Sequence, residues 1–263
     1  MPKVETQRKG RSFIVTINRP EVRNAVDAET AGLLLEAVES FRRDEDLDVL
    51  ILTGAGDVAF CAGADLKDIF GLAARPGADE SGPMGISYVT DLWKPTIAAI
   101  NGYCLAGGLE LACWCDFRIA DRDAQFGLVE RRWGVPLIDG GTQRLPRIVG
   151  LGNALYLIET GMLIDAAHAF RIGLVQEVVT ARQALTRAIE LAEVISSYPQ
   201  ATLRNDRRGV YEGFSLPLPE GLRVERQIHE GSKGEPSTAG GLERYAAGQR
   251  PPPPRPPAPP DGS

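Results

Sequence analysis

Histidine is nearly absent from this chain of 263 residues, in which His168 and His229 are the only two. Both lie outside the glycine-rich and acidic motifs described below, so a Ser-His-Asp triad built on them is not expected. The 4 cysteines form no Cys-x-x-Cys pair and have no histidine cluster nearby. We therefore expect reduced, buried thiols and no metal site. The cysteines are Cys61, Cys104, Cys113 and Cys115.

Long apolar runs are also missing. No window reaches the roughly 18 consecutive apolar residues of a membrane helix, and the first residues, MPKVETQRKG, lack the apolar segment of a signal peptide. The net charge of −6 provides no overall attraction to nucleic acid or to anionic membrane surfaces. We expect a cytoplasmic protein that binds neither nucleic acid nor membranes.

Alternating strands and helices are what the remaining pattern predicts. Hydrophobic residues make up 43% of the chain, which suffices for one large core. Residues 11–20, RSFIVTINRP, alternate apolar and polar side chains and predict a strand, and Asp27 is positioned to cap the helix that follows. The apolar run LDVLILTG at 47–54 predicts a strand covered on both faces. We therefore expect an α/β fold.

Three segments are expected along the chain: a core at 1–199, a helical part at 200–248 and a tail at 249–263. The helical part is predicted to contain two or three helices, separated by Pro-Leu-Pro and Gly-Gly. Proline dominates the tail, PPPPRPPAPPDGS at 251–263, so most of its residues lack the N–H donor that a regular element needs. We expect a disordered tail, with binding to a proline-recognising partner as the alternative.

Two turns made of small residues stand out, AFCAGADLKDI at 59–69 and CLAGGLEL at 104–111. Each follows an apolar strand and precedes a helix, and small side chains allow close approach to the backbone. The start of a helix also leaves amide hydrogens without partners. If the two turns converge, their amides would stabilise an oxygen that becomes negative during a reaction. Tight packing between neighbours is the alternative.

Two acidic residues occur in apolar surroundings. Glu110 lies three residues after Gly107, and Glu130 follows the apolar segment AQFGLV. A first-turn glutamate favoured by the helix dipole is the alternative for Glu110, and a surface ion pair with Arg131 or Arg132 is the alternative for Glu130. Beside two oxyanion-type turns, the two acids favour general acid–base chemistry.

Five segments, taken in order and spacing, resemble the crotonase, or enoyl-CoA hydratase, superfamily. They are NRPEVRNAV, AFCAGADLKDI, NGYCLAGGLELACWCDFRIA, FGLVE and GGTQRLPRIVG. The resemblance covers residues from about 11 to 200 and continues weakly to 248. It implies an α/β spiral of ββα turns with an α-helical C-terminal trimerisation part, assembled as a homotrimer or a dimer of trimers.

The resemblance also implies an activity and roles for individual residues. The activity is hydration of 2-trans-enoyl-CoA to 3-hydroxyacyl-CoA in fatty acid metabolism, with coenzyme A carried by the substrate and no separate cofactor. The amides of Ala64 and Gly107 would hold the thioester carbonyl, and Glu110 and Glu130 would be the catalytic glutamates. The implied coenzyme A contacts are Val22, Arg23, Ala62, Leu66 and Lys67. Lys67 would contact a phosphate, with simple solvation as the alternative.

The sequence departs from this family pattern at several positions. Where hydratases usually have Pro-Gly-Ala-Gly-Gly, this chain has PLIDGG, so Ile138 and Asp139 add bulk and a third carboxylate near the acyl pocket. Trp133 either adds bulk there or packs against the core. Tyr245 keeps an aromatic near the C-terminus, but Gly248 stands where many members have a lysine that reaches a neighbour's coenzyme A.

Other functions remain as alternatives. Double-bond isomerisation, or dehydration of a 3-hydroxyacyl or carnitinyl thioester, would use the same oxyanion site, but two glutamates favour water chemistry because an isomerisation needs only one base. Thioester hydrolysis is disfavoured further. A non-catalytic scaffold for coenzyme A or RNA is disfavoured by the retained glutamates and the lack of a lysine-rich helix. The segment GLGNAL at 150–155 lacks the third glycine of a dinucleotide fingerprint.

Overall fold

The computed structural model of the protein describes residues 1–231 and 236–249. The proline-rich tail predicted for 249–263 lies outside these residues, apart from Gln249. The strands are β1 Val4–Lys9, β2 Ser12–Ile17, β3 Val49–Gly54, β4 Ala59–Cys61, β5 Thr96–Ile100, β6 Tyr103–Leu105, β7 Phe117–Asp121, β8 Gln125–Gly127, β9 Ile164–Asp165 and β10 Glu177–Val179. The α-helices are α1 Ala28–Arg43, α2 Ile69–Ala73, α3 Ala78–Ser81, α4 Gly107–Trp114, α5 Gly141–Val149, α6 Leu151–Thr160, α7 Ala166–Arg171, α8 Ala184–Ser197, α9 Gln200–Gly213, α10 Leu218–Glu230 and α11 Pro236–Ala246.

The strands form two separate sheets. The larger sheet has the order β1-β2-β3-β5-β7-β10, and the smaller sheet has the order β4-β6-β8-β9. Pairing is parallel except at β1 with β2 and at β8 with β9. From β3 onward the chain repeats one unit three times. In each unit a strand of the larger sheet (β3, β5 or β7) is followed by a strand of the smaller sheet (β4, β6 or β8) and then by a helical segment. This confirms the α/β spiral of ββα turns.

Apolar layers cover the larger sheet on both faces, which explains why its central strands are buried. All six residues of β3 are buried, and their side chains alternate between the two faces. Leu50 and Leu52 join the main core with α1 and the smaller sheet, whereas Val49 and Ile51 join a second cluster formed with α8. The sheet therefore lies between two apolar layers, as predicted for the run at 47–54.

Several local predictions can now be compared with the structure. Asp27 caps α1, because its Oδ1 accepts the N–H of Thr30 at 2.8 Å. All 4 cysteines are free and buried. Gly240 and Gly241 lie inside α11, so the prediction that Gly-Gly separates two helices was wrong. Pro217 precedes α10, as the Pro-Leu-Pro break predicted. No helix in the described part of the chain is long and apolar enough to cross a membrane.

Candidate active site

A mostly apolar cavity of about 210 Å³ lies where both small-residue turns meet the segment that follows β8. Its polar lining consists of main-chain groups and three acidic side chains, Glu110, Glu130 and Asp139. The remaining lining residues are Ala62, Ala64, Leu66, Ile69, Leu72, Ala73, Pro83, Ala106, Gly107, Val129, Trp133, Val135, Pro136 and Ile138. The four residues predicted as catalytic are therefore all brought to one cavity.

The two turns contact each other directly, which explains their small side chains. An added Cβ on Gly108 would lie 2.2 Å from the carbonyl oxygen of Cys61, a distance that no real atom tolerates. Gly63 has φ of +101°, and an added Cβ there would lie 3.0 Å from the nitrogen of Gly107. Glycine at these two positions allows the backbone of one turn to lie against the other.

Ala64 and Gly107, one from each turn, both line the cavity. Val26 lies opposite Ala64 but bonds to its two neighbours: the N–H of Val26 donates to the carbonyl of Gly63, and the carbonyl of Val26 accepts the N–H of Asp65. The N–H of Ala64 is not used in this pairing. Gly107 is the first residue of α4, where no preceding carbonyl reaches its N–H. Neither amide donates a hydrogen bond to any residue that the structure describes. An added Cβ on Gly107 would lie 3.6 Å from Ala64 N, so the two amides are close neighbours.

Glu110 lies on α4, and two main-chain N–H donors fix the position of its carboxyl group. Its Oε1 accepts the N–H of Gly141 at 2.7 Å and the N–H of Asp139 at 3.0 Å. The side chain is only 3% exposed, and this burial raises its pKa to about 8, although the N–H of Gly141 favours the ionised form. The nearby carboxyl groups of Asp139 and Glu130 raise its pKa further. Burial and the two neighbouring acids therefore favour the protonated form of Glu110 more than is usual for a glutamate.

Glu130 lies on a short 3-10 helix, Val129–Trp133, and is only 6% exposed. Neither of its carboxylate oxygens has a hydrogen-bond partner among the described residues. The side chains of Arg131 and Arg132 donate instead to the carbonyls of Ile158 and Gly161, so the surface ion pair is excluded. Burial raises the pKa of Glu130. A buried carboxyl group without a protein partner is costly unless a ligand or water satisfies it.

The residues in which this chain departs from the usual family pattern also line the cavity. Asp139 is buried and Ile138 is half exposed, and both line the cavity beside Glu110. Trp133 also lines it and is 72% exposed, so it does not pack in the core. These three side chains give the pocket one apolar wall and a third carboxyl group.

The predicted coenzyme A contacts do not all meet in this cavity. Ala62 and Leu66 line it, whereas Val22, Arg23 and Lys67 lie outside its lining. Arg23 is nevertheless adjacent, because its carbonyl accepts the N–H of Ala62 at 3.0 Å. Lys67 is exposed at the surface two residues after Asp65, which accepts its main-chain N–H at 3.1 Å. The structure therefore places two of the five predicted contacts in the cavity and three outside its lining.

Sequence reasoning missed the residues that hold Glu110 in place. Gly141 was recognised only as part of a motif, yet it is the first residue of α5 and an added Cβ there would lie 2.9 Å from Glu110 Oε1. Ser87 and Met84, which contact Asp139, carried no signal. Within the described residues no three His, Cys, Asp or Glu side chains are grouped so as to hold a metal ion.

Comparison with known proteins places this geometry in a family. The sequence model described as "Enoyl-CoA hydratase/isomerase" matches residues 9–253. A probable enoyl-CoA hydratase of Rhizobium meliloti is 42% identical over 229 residues, which is 86% of this chain and 87% of the relative. A crotonyl-CoA hydratase of Syntrophomonas wolfei is 40% identical over 81% of this chain and 82% of the relative. The crystal structure of enoyl-CoA hydratase EchA1 from Mycobacterium marinum has a TM-score of 0.89 at 33% identity and covers 95% of this chain and 98% of that one.

Proposed function

Because the chain belongs to the enoyl-CoA hydratase/isomerase family, we propose that it catalyses the reversible hydration of 2-trans-enoyl-CoA thioesters to 3-hydroxyacyl-CoA. The reaction adds the oxygen of water to C3 and a proton to C2. The carbonyl oxygen of the thioester gains negative charge as the new C–O bond forms. The site must therefore stabilise that charge and move two protons.

The amides of Ala64 and Gly107 supply the charge stabilisation. They are adjacent, they belong to separate turns, and neither has an acceptor among the described residues. Two donors fixed by packed glycines need no reorganisation when the thioester oxygen becomes negative, and loss of one such donor typically costs about 3 to 4 kcal/mol of transition-state stabilisation.

The two glutamates share the proton transfers. The reacting form of the pair has its single proton on Glu130, with Glu110 ionised. In the hydration direction Glu110 accepts a proton from water as the oxygen adds to C3, and Glu130 donates its proton to C2. A proton then returns from Glu110 to Glu130 through solvent, and dehydration runs the same steps backwards. The active form of the pair therefore holds one proton in total, and its apparent pKa values belong to the pair.

The observation that carries this proposal is the state of Glu130. Its two oxygens are buried, lack a partner among the described residues, and line the same cavity as Glu110 and the two free amides. An isomerisation needs one base, whereas a water molecule held between two carboxyl groups satisfies both of them. This arrangement favours water addition over movement of a double bond.

The remaining parts of the proposal concern coenzyme A and assembly. We place the coenzyme A moiety against Ala62 and Leu66 in the cavity and against Val22, Arg23 and Lys67 beside it, with no further cofactor. We also propose a homotrimer or a dimer of trimers, because α9, the residue that ends it and α10 expose apolar side chains that a monomer would leave in water. These side chains are Val210, Phe214, Leu218 and Leu222. Fatty acid metabolism is the corresponding process.

Two matched substitutions test the proposal. With crotonyl-CoA as substrate, Glu110→Gln and Glu130→Gln should each lower kcat at least ~100-fold, the usual range for a general acid or base. Asp121→Asn is the control, because Asp121 is a buried acid that lies outside the cavity and caps α8. If the wild-type protein hydrates none of a panel of enoyl-CoA thioesters, the proposed activity is wrong. If either glutamine variant keeps nearly full activity, the role of that glutamate is wrong.

A further inference from the structure

Asp139 is a third buried carboxyl group in the cavity, and the hydration steps leave it without a role. It is 5% exposed, and its main-chain N–H donates to Glu110 Oε1 at 3.0 Å. Its side chain therefore lies in the immediate surroundings of the glutamate that exchanges protons with water.

Two donors favour the ionised form of Asp139. Its Oδ1 accepts the N–H of Met84 at 2.9 Å and the hydroxyl of Ser87. Its Oδ2 accepts no hydrogen bond from the residues described in the structure. Burial raises the pKa of Asp139, but both hydrogen bonds and the guanidinium of Arg144 oppose that effect. When Asp139 is ionised, its carboxylate therefore places a negative charge beside the glutamate pair at a position fixed by Met84 and Ser87.

The same contacts tie two loops together. The hydroxyl of Tyr88 donates to the carbonyl of Ile138 at 2.6 Å, and the guanidinium of Arg144 donates to the carbonyls of Ser87 and Asp139 at 2.6 Å and 3.1 Å. The sulfur of Met84 lies 3.3 Å from the position of an added Cβ on Gly107. Asp139 thus links the residues that hold Glu110 to the segment that packs on the oxyanion turn.

Several titratable or charged groups face Glu110 from the surrounding elements. They are Cys113 on α4 itself, Glu130 on the 3-10 helix, Asp139 before α5, Arg144 on α5, and Tyr88 after α3. Arg144 is the one cation of this set, and it is bonded to main-chain carbonyls rather than to Glu110. Asp139 and Glu130 are the two acids, so removal of the Asp139 charge changes the field at Glu110 most directly.

We propose that Asp139 is a positioning residue of this site, whose buried carboxylate keeps the single proton of the Glu110–Glu130 pair bound at neutral pH. A fixed negative charge next to the pair makes loss of the last proton more costly, because two anions would then face a third. The carboxylate also anchors the 82–88 segment, so that the charge stays at a constant distance. This inference rests on the proposed hydration, since that reaction requires the singly protonated pair.

The decisive variant is Asp139→Asn, which removes the charge but keeps an oxygen that accepts from Met84 and Ser87. The expected result is that the alkaline limb of the kcat/KM profile for crotonyl-CoA moves to lower pH by at least ~0.5 unit, since a neighbouring anion usually shifts a carboxyl pKa by this much or more. Asp121→Asn is a matched control, because Asp121 Oδ1 also accepts two main-chain N–H groups and the residue is 4% exposed. A merely structural role would lower activity at every pH without moving the limb, and that result would overturn the proposal.

A second measurement does not depend on turnover. Infrared difference spectra follow the carboxylic-acid band of Glu110, which is assigned by its loss in Glu110→Gln, and the pH at which the band disappears should fall in Asp139→Asn. If the wild-type protein fails to hydrate enoyl-CoA while this shift is present, the hydration proposal fails and the charge coupling stands. If the band titrates identically in both proteins, the role of Asp139 is refuted whatever the activity.

Ser87→Ala provides the same test if Asp139→Asn does not fold. It removes the hydroxyl that favours the Asp139 carboxylate, so the limb and the band should move in the same direction by a smaller amount. Absence of any shift in this variant contradicts the proposal.

Discussion

Gly141 donates its main-chain N–H to Glu110 Oε1 at 2.7 Å, so the first residue of α5 fixes a carboxyl group on α4. The two residues are 31 positions apart in the chain. Glycine is needed there, because an added Cβ would lie 2.9 Å from Oε1 and 3.0 Å from Cγ of Glu110. The position of the acid therefore depends on the absence of a side chain on a neighbouring helix.

Gly141→Ala should consequently displace the carboxyl group while keeping the N–H donor. We expect kcat for crotonyl-CoA to fall roughly 10-fold to 100-fold, since small displacements of a catalytic group have effects of this order. KM should change little, because the oxyanion amides are untouched. Gly152→Ala on α6 is the control, as an added Cβ there meets nothing within 4 Å. Full activity of Gly141→Ala would show that Glu110 works from another position.

Gly107 allows the main-chain donor to be tested separately from the side chains. An alanine at this position is crowded by the flexible end of Met84, with its Cε at 3.2 Å and its Sδ at 3.3 Å, lies at ordinary contact distance from Ala64 N, and retains the N–H. Proline removes the N–H, although its φ suits the first residue of a helix. We expect the kcat of Gly107→Pro to be at least ~100-fold below that of Gly107→Ala.

Thermal melts of the two Gly107 variants distinguish loss of a donor from loss of the fold. Both variants should unfold cooperatively and still bind coenzyme A, since Gly107 is not needed for the core. Equal kcat values in the two folded proteins would contradict the assignment of Gly107 as an oxyanion donor.

Local sequence signals account for the fold much better than for the contacts of the site. The apolar run at 47–54 and the capping side chain of Asp27 act over a few residues, so they could be predicted. β1 was missed because only Val4 of its six residues is buried and the rest are polar or charged. The paired glycines of α11 stay helical despite their low intrinsic helix propensity.

In the site, too, features set by neighbouring residues could be predicted, and contacts between residues far apart in the chain could not. The small residues at 61–64 and 106–108 signalled two close backbones, and the structure shows why, in the approach of Gly108 to Cys61. The hydrogen bonds that hold Glu110 join α4 to residues about 30 positions later, and no local pattern encodes such a pairing. The free oxygens of Glu130 were likewise invisible, because the two arginines that follow it suggested an ion pair.

The pH dependence of the reaction follows from the shared proton. The pKa of Glu110 is raised to about 8 by burial, and loss of the last proton of the coupled pair leaves none for Glu130 to give to C2. We expect the plot of kcat/KM for crotonyl-CoA against pH to be bell-shaped, with activity falling as pH rises through about 8.

The acid limb of this profile should have a pKa above the ordinary range of a glutamate, since burial also raises the pKa of Glu130. Hydration and dehydration should show the same limbs, because the overall reaction takes up no net proton. A profile that keeps rising well above pH 8 would contradict the shared proton.

The raised pKa of Glu110 also affects stability, and the sign can be stated. In the folded protein the group titrates at about 8 instead of 4.5, so the folded state binds the proton more strongly than the unfolded chain does. Its contribution to the free energy of unfolding is fully present below pH 4.5 and is lost as pH rises through about 8.

The variant Glu110→Gln tests this pH dependence. Its glutamine side chain cannot titrate, and the Oε1 atom can still accept hydrogen bonds from the N–H groups of Gly141 and Asp139. The variant should therefore become more stable relative to wild type as pH increases from about 5 to 9, by on the order of 2 to 4 kcal/mol. Urea unfolding of both proteins across this range measures the difference. A difference that stays constant with pH would contradict the raised pKa of Glu110.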